Sequence, residues 1–368
     1  MGCSIAYHLA ERGATNVVVL ERDLIGRGST ADAAGGIRLQ FSTETNIRLS
    51  LLSLEYWEHF EERFGQHINF RQQGYLFLLT DERNIEVFQR NLTLQHVLGV
   101  PARWVTPEEI QEINPAVVLE DVLGGTFCPR DGWADTSTAT QGFAQTARAL
   151  GVQIFEETPV TGIDVEGGRV SGVRCGDERI ATPLVICCAG PQTGEVGRLA
   201  DLELPILPYR RMSFITDFFD GIPSHVPLTI DFERSLYFHP ESGGFLFGMS
   251  DPDEPSSFNK LVDEEWMFAT VEALIERAPA FAEATVKNGW AGFYEITPDD
   301  NPLLGYVPDV EGFIVAAGFS GHGFMQGPAI GRAISELVLD GAPQILDLSA
   351  FRPSRFAEGD LAQEHNVI

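Results

Sequence analysis

The residues able to do chemistry fall into three short stretches, each built around glycine. In the first, Gly2 and Glu21 flank a small-and-apolar run, Cys3 to Gly13, and a β-branched run, Asn16 to Leu20. An acidic side chain ending such a strand can take both hydroxyls of an adenosine ribose and would repel a 2′-phosphate. The second stretch, Gly26 to Arg38, is small, polar and glycine-rich, so its backbone can approach a ligand closely. Ser29 and Thr30 there can cap a helix and present N–H groups to a phosphate. The third, Gly312 to Pro328, runs from a buried strand into a turn with glycines at 318, 321, 323 and 327. Such backbone lies flat against a large planar ligand, and the helix that follows puts positive potential where a reduced ring carries negative charge.

The elements that must hold these residues follow from periodicity. Cys3 to Gly13 reads as a helix ended by glycine, and Asn16 to Leu20 as a buried parallel strand. A dinucleotide-binding unit begins with a strand and G-x-G-x-x-G ahead of this helix; Gly2 falls at the third glycine. We expect the assigned start to be wrong, with an in-frame strand and G-x-G upstream. Thr43 to Phe64 and Asp81 to Leu98 read as helices, Gly74 to Leu79 as a strand, and Thr106-Pro107 as a helix start. Asp135 caps a helix running to Leu150. Strands follow at Val152–Phe155, Val160–Val165 and Arg169–Cys175, the last two joined by Gly167-Gly168, and Pro183 to Gly190 is a central parallel strand. From Leu204 to Ser250 the pattern is of antiparallel strands, then a helix from Asp263 to Arg277 and a strand from Lys287 to Tyr294. Pro328 is expected to open the last helix, Ala329 to Leu339.

Composition narrows the partners. A net charge of −28 over 368 residues disfavours nucleic acid and anionic membrane surfaces. The longest uncharged stretch, Gly312 to Gly331, carries too many glycines and a histidine to be a membrane span. Five cysteines without C-x-x-C spacing suggest neither disulfides nor zinc, and no metal site is expected. A cytoplasmic location is the expectation.

Together these stretches resemble the FAD-dependent D-amino-acid oxidase/sarcosine oxidase superfamily, nearest to sarcosine oxidase- and dimethylglycine dehydrogenase-like amine oxidoreductases. Three motifs carry the resemblance: the helix–strand–Glu21 unit with Gly28-Ser29-Thr30; Tyr294-Glu295-Ile296-Thr297-Pro298-Asp299-Asp300-Asn301-Pro302-Leu303-Leu304-Gly305; and Gly318-Phe319-Ser320-Gly321-His322-Gly323-Phe324. It implies an α/β fold: an FAD-binding Rossmann-like domain, incomplete at the N-terminus, with an antiparallel-sheet (α+β) substrate domain discontinuous in sequence. The expected division is 1–44, 131–203 and 300–345 for FAD, 45–130 and 204–299 for substrate, and 346–368 as a tail.

Carried over by position, the resemblance assigns Gly2, Glu21, Arg22, Ser29, Thr30, Ala34, Gly35, Gly36, Val160, Gly190, Gly318, Gly321, His322, Gly323, Phe324 and Met325 to the cofactor. Arg38 matches the arginine that holds a substrate carboxylate in sarcosine oxidases, while the companion lysine corresponds to Met325. Tyr237 and Tyr294 would line the pocket, with His322 close to the ring. The tethering cysteine and histidine of relatives correspond to Gly292 and Asp32, which implies non-covalent FAD. Leu246 replaces the lysine that activates oxygen, so an acceptor other than O2 becomes the more plausible partner. The implied activity is oxidation of the C–N bond in a small carboxylated secondary or tertiary amine, sarcosine-, dimethylglycine- or proline-like, with hydride transfer to flavin. The alternatives are a D-amino-acid or glycine oxidase, which the tyrosine at 294 in place of a carboxylate-binding arginine disfavours, and a flavoprotein-like assembly factor or hetero-oligomer subunit without turnover. A third is a remnant that binds no FAD.

Overall fold

Small side chains let helix Gly2–Glu11 sink into the molecule. In the computed structural model, which describes residues 1–366, every residue from Cys3 to Ala10 is buried. The helix crosses helix Gly323–Asp340 so closely that a Cβ on Gly331 would lie 2.1 Å from Ser4 Oγ. Ser4 Oγ donates to Gly327 O at 2.9 Å across this crossing. Arg12 caps the first helix and Gly13, at φ +91°, turns the chain out of it.

Proline at 328 does not open the last helix; it sits inside it, and Gly323 is the first helical residue. Proline has no N–H and crowds the carbonyl one turn back, so the helix here needs outside partners. They are supplied: Trp57 Nε1 donates to Met325 O at 3.0 Å, and Ala329 N donates to Ser53 Oγ at 3.1 Å. Both partners come from helix Glu44–Glu58, whose Leu49, Leu54 and Trp57 pack among the helices just described.

Two narrow strips of sheet lie beside these helices. Val18–Leu20 pairs in parallel with Gln153–Phe155. Val185–Cys187 pairs in parallel with Phe313–Ala317, which pairs antiparallel with Leu303–Tyr306. The strips share no hydrogen bonds: among the described residues, Val18–Leu20 and Val185–Cys187 each keep one edge without a strand partner. A separate three-stranded meander, Gly162–Glu166, Arg169–Cys175 and Glu178–Ala181, turns at Gly167-Gly168, both at positive φ.

The second structural half is one sheet of eight strands. Its order is Val286–Ile296, Leu207–Thr216, Gly244–Met249, Leu236–Glu241, Leu228–Asp231, Tyr75–Leu79, Gly124–Cys128, Arg103–Val105. The expected antiparallel pattern holds except where Leu228–Asp231 runs parallel to Tyr75–Leu79. Those two strands come from distant segments, so no hairpin dictates their direction. Alternation splits the sheet into two faces. Met212, Phe214, Leu236, Phe238, Phe245 and Phe247 pack with Leu274 and Phe281 from the helical segment 264–283. Each such buried side chain contributes ~1.5–3 kcal/mol relative to exposure. The opposite face carries Tyr75, Phe77, Leu228, Ile230 and Tyr237, which pack with Phe88 of helix Glu82–Val97 and with Trp133.

The tail returns to the centre. Glu364 accepts hydrogen bonds from the N–H and hydroxyl groups of Ser42 and Thr43 and from Asn46 Nδ2. No helix among the described residues is long and apolar enough to cross a membrane.

Candidate active site

A cavity of about 1600 Å³ runs between the two halves. Pockets for drug-sized ligands occupy roughly 300–1,000 Å³, so this one has room for an extended dinucleotide. It reaches from Glu21 and Val160, past Gly2, Ser29, Thr30 and Gly190, to Tyr237 and Tyr294 on the large sheet. Glu21 stands at the end of its strand with Oε1 accepting from Asp23 N at 2.9 Å, which leaves its other oxygen for a ligand. The free edges of Val18–Leu20 and Val185–Cys187 also border this space.

The glycine-rich wall is made by close backbone approach. Gly35 has φ +76°, and a Cβ there would stand 2.2 Å from Ala134 O. A Cβ on Gly36 would meet Tyr75 Oη at 1.8 Å, and one on Gly321 would run into the Tyr294 ring at 2.4 Å. Ser29, capped by Gly28 at φ +72°, donates from Oγ to Phe293 O at 3.1 Å and so fastens this wall to the sheet.

Most of the sequence-assigned residues meet here. Gly2, Glu21, Arg22, Ser29, Thr30, Ala34, Gly35, Gly36, Arg38, Val160 and Gly190 line the cavity, as do Tyr237, Tyr294, Gly321, Gly323, Phe324 and Met325. Gly318 lies just behind, its Cα face against the Thr297 methyl at 2.6 Å for an added Cβ. His322 is not on the cavity wall. Its ring is buried, edge-on to Phe41 at 5.4 Å between centroids, and neither nitrogen has a hydrogen-bond partner. Burial, with Arg38 nearby, pulls its pKa down to about 3, so the ring is neutral. His322 is the residue before Gly323, the first of the helix, and its side chain makes no capping hydrogen bond.

Arg38 touches the cavity, and both of its terminal nitrogens are engaged by backbone carbonyls. Nη1 donates to Gln40 O at 2.9 Å, Nη2 donates to Asn366 O, and the guanidinium carbon lies 4.1 Å from the Phe41 ring centre.

Sequence reasoning passed over three wall residues. Arg211 and Ser213 project from strand Leu207–Thr216 to the cavity side, and Ser213 Oγ lies 2.9 Å from Tyr237 Oη. Ser213, Gly248 and Tyr237 form one rung across three strands. Gly248 leaves the space through which Tyr237 reaches Ser213, since a Cβ there would be 2.7 Å from Tyr237 Oη. The two-residue alternation of Arg210-Arg211-Met212-Ser213 in an apolar strand was the available signal. The third is Glu295: its Oε2 is buried without a partner, and burial pushes the carboxyl up to about 7 against hydrogen bonds from the Gly318 and Phe319 amides. No cluster of potential metal ligands exists among the described residues.

Residues 1–337 match the family model described as DAO, FAD dependent oxidoreductase. The chain belongs to this family. FAD is therefore its cofactor, and the long cavity, the glycine wall and the half-free Glu21 carboxylate fit that molecule. FAD-dependent oxidoreductase domain-containing protein 1 of Xenopus laevis is 32% identical over 415 residues, covering 100% of this chain and 83% of that protein. Mitochondrial sarcosine dehydrogenase of Homo sapiens is 28% identical, covering 97% of this chain but 40% of its own length. Among solved structures, L-proline dehydrogenase from P. horikoshii superposes with a TM-score of 0.91 at 33% identity, over 98% of this chain and 96% of that one. With homologues that include sarcosine and proline dehydrogenases, the chain is an FAD-dependent amine oxidoreductase.

Proposed function

We propose that this enzyme oxidises the C–N bond of a small secondary or tertiary amine bearing a carboxylate, with FAD held non-covalently. The observation that carries this reading is the sheet end of the cavity. There a guanidinium, two tyrosines and a serine converge opposite the 318–323 turn. The relatives named for sarcosine and proline oxidation support the same substrate class.

FAD, when bound, supplies the two-electron acceptor. The chain supplies placement and surroundings. Burial raises the pKa of Tyr237 and of Tyr294, so both hydroxyls stay protonated and donate hydrogen bonds without adding charge. The large sheet and the buried aromatic face behind Tyr237 exclude water from that end. Glu21, Ser29, Thr30 and Gly190 would hold the adenosine and pyrophosphate, and Ala34 to Gly36 with the 318–325 turn would flank the ring. Asp32 and Gly292, the positions of covalent tethers in the sequence comparison, adjoin one another: a Cβ on Gly292 would lie 2.6 Å from Asp32 Cβ. Asp32 is paired with Lys260 at 2.5 Å, and neither position carries the cysteine or histidine of a tether. Leu246, on the cavity-side face and 5% exposed, brings no cation to assist O2, which favours a different electron acceptor.

The test is anaerobic mixing of FAD-loaded enzyme with sarcosine, dimethylglycine, proline, glycine and uncharged amines. Carboxylated secondary or tertiary amines should bleach the oxidised-flavin absorbance. Bleaching by primary amino acids alone, or by nothing in the panel, would overturn the reading. An artificial acceptor in a second assay separates an enzyme from a subunit without turnover.

A further inference from the structure

We propose that Arg211, not Arg38, receives the substrate carboxylate. This rests on the reading above that the substrate is a carboxylated amine.

Strand Leu207–Thr216 carries adjacent arginines on opposite faces. Arg210 points to the packed face, where Glu254 Oε2 accepts from its Nε at 3.0 Å and from its Nη2 at 2.8 Å. Arg211 points to the cavity. Its Nη1 donates to the Arg210 carbonyl at 2.9 Å, while its Nε is buried and has no partner. No carboxylate among the described residues lies within 4.0 Å of its guanidinium, whereas Arg210 has both Glu254 and Asp263 within that reach. The unpartnered Nε and the neighbouring Nη2 form the edge of a guanidinium that takes both oxygens of a carboxylate. An N–H left unpaired in a buried place is costly, so an incoming carboxylate has a site ready to hold it.

The surroundings fix where that carboxylate would sit. The guanidinium carbon stands 5.2 Å from the centre of the Tyr294 ring, which keeps the fork from swinging. Opposite Arg211 in the sheet register is Gly292, over which the Asp32 side chain packs, so the open side of the guanidinium is the one toward Ser213 and Tyr237. One rung along, Ser213 and Tyr237 offer hydroxyls to the rest of a small substrate. Arg38, by contrast, is held by two backbone carbonyls and the Phe41 face, one of the carbonyls being that of Asn366 in the tail. Its positive charge contributes to the field of the cavity, while both of its terminal nitrogens already hold a carbonyl.

The experiment titrates acetate, the simplest non-oxidisable carboxylate, into FAD-loaded protein and follows binding by calorimetry, then measures kcat and KM for the amine panel. Arg211→Met should weaken acetate binding and raise KM for carboxylated amines by at least about tenfold, the range of a charged hydrogen-bonded pair. KM for uncharged amine analogues should rise far less than KM for carboxylated ones, a split that a merely structural role would not produce. Arg211→Lys should recover part of the loss, since it restores charge without the fork. Arg211→Gln serves if the methionine variant fails to load FAD. Acetate affinity equal to wild type in Arg211→Met or Arg211→Gln would overturn the proposal. If wild-type enzyme oxidises no carboxylated amine, the functional reading fails, and the acetate titration still decides whether Arg211 is an anion-binding group.

Discussion

The cavity has two walls built on opposite principles. The nucleotide side is made of glycine, short turns and helix starts, so it offers backbone and shape. The sheet side offers side chains: Arg211, Ser213, Tyr237 and Tyr294 stand on strands whose far face is a dense aromatic core. The difference separates two tasks. Backbone contacts hold a cofactor common to many relatives, and the side chains of a rigid sheet choose what is presented to it.

That contrast can be broken first on the glycine wall, where the largest effect is expected. Gly35→Ala combines a left-handed backbone with a 2.2 Å approach to Ala134 O. It should cost about 2–5 kcal/mol and abolish FAD loading, read by thermal unfolding and flavin retention. Retained FAD with an unchanged melting temperature would show that the wall tolerates side chains. Next comes Glu21→Ala, which should weaken FAD by roughly 10- to 100-fold, the loss of charge-assisted hydrogen bonds, without altering the KM of loaded enzyme.

A pH series sharpens the boundary between the walls at Glu295. Its carboxyl, raised to about 7 by burial, is protonated below that pH and becomes a buried anion above it. An anionic cofactor should therefore bind more weakly as pH rises through about 7, by about tenfold for a one-unit shift in that pKa on binding. Glu295→Gln should flatten the dependence. The same group also acts on stability: because its folded pKa lies above the ordinary carboxylate value, its contribution is complete below ~4.3 and is lost as pH rises through about 7. The smallest effect belongs to the sheet wall. Tyr237→Phe removes the 2.9 Å contact with Ser213 and should lower kcat/KM several-fold, about 0.5–1.5 kcal/mol, with FAD affinity intact. A fall in FAD affinity instead would mean that the two walls do not divide their work in this way.

Much of this layout was legible in the chain because it depends on local pattern. Helix Thr136–Ala149 has its Asp135 cap and helix Pro107–Ile113 its Thr106–Glu109 capping box, and both motifs are short-range. The turn at 318–322 could be read from its glycines, although the helix after it begins earlier than Pro328. What escaped depends on distant register. Strand Leu228–Asp231 is positioned by parallel pairing with Tyr75–Leu79, a contact no local periodicity contains. Arg211 could be distinguished from Arg210 only once the neighbours of each face were known. His322 was expected beside the ring on the resemblance alone, whereas its buried ring packs edge-on to Phe41, a neighbour that no local pattern announces.

The contact of Ser4 with Gly331 sets how much the centre of the molecule can vary. A Cβ at 331 would stand 2.1 Å from Ser4 Oγ, so any larger residue there must push helix Gly2–Glu11 away from helix Gly323–Asp340. Ser4 and Gly327, which join the two helices, also line the cavity, so a substitution far from the sheet should be felt as a looser grip on the cofactor.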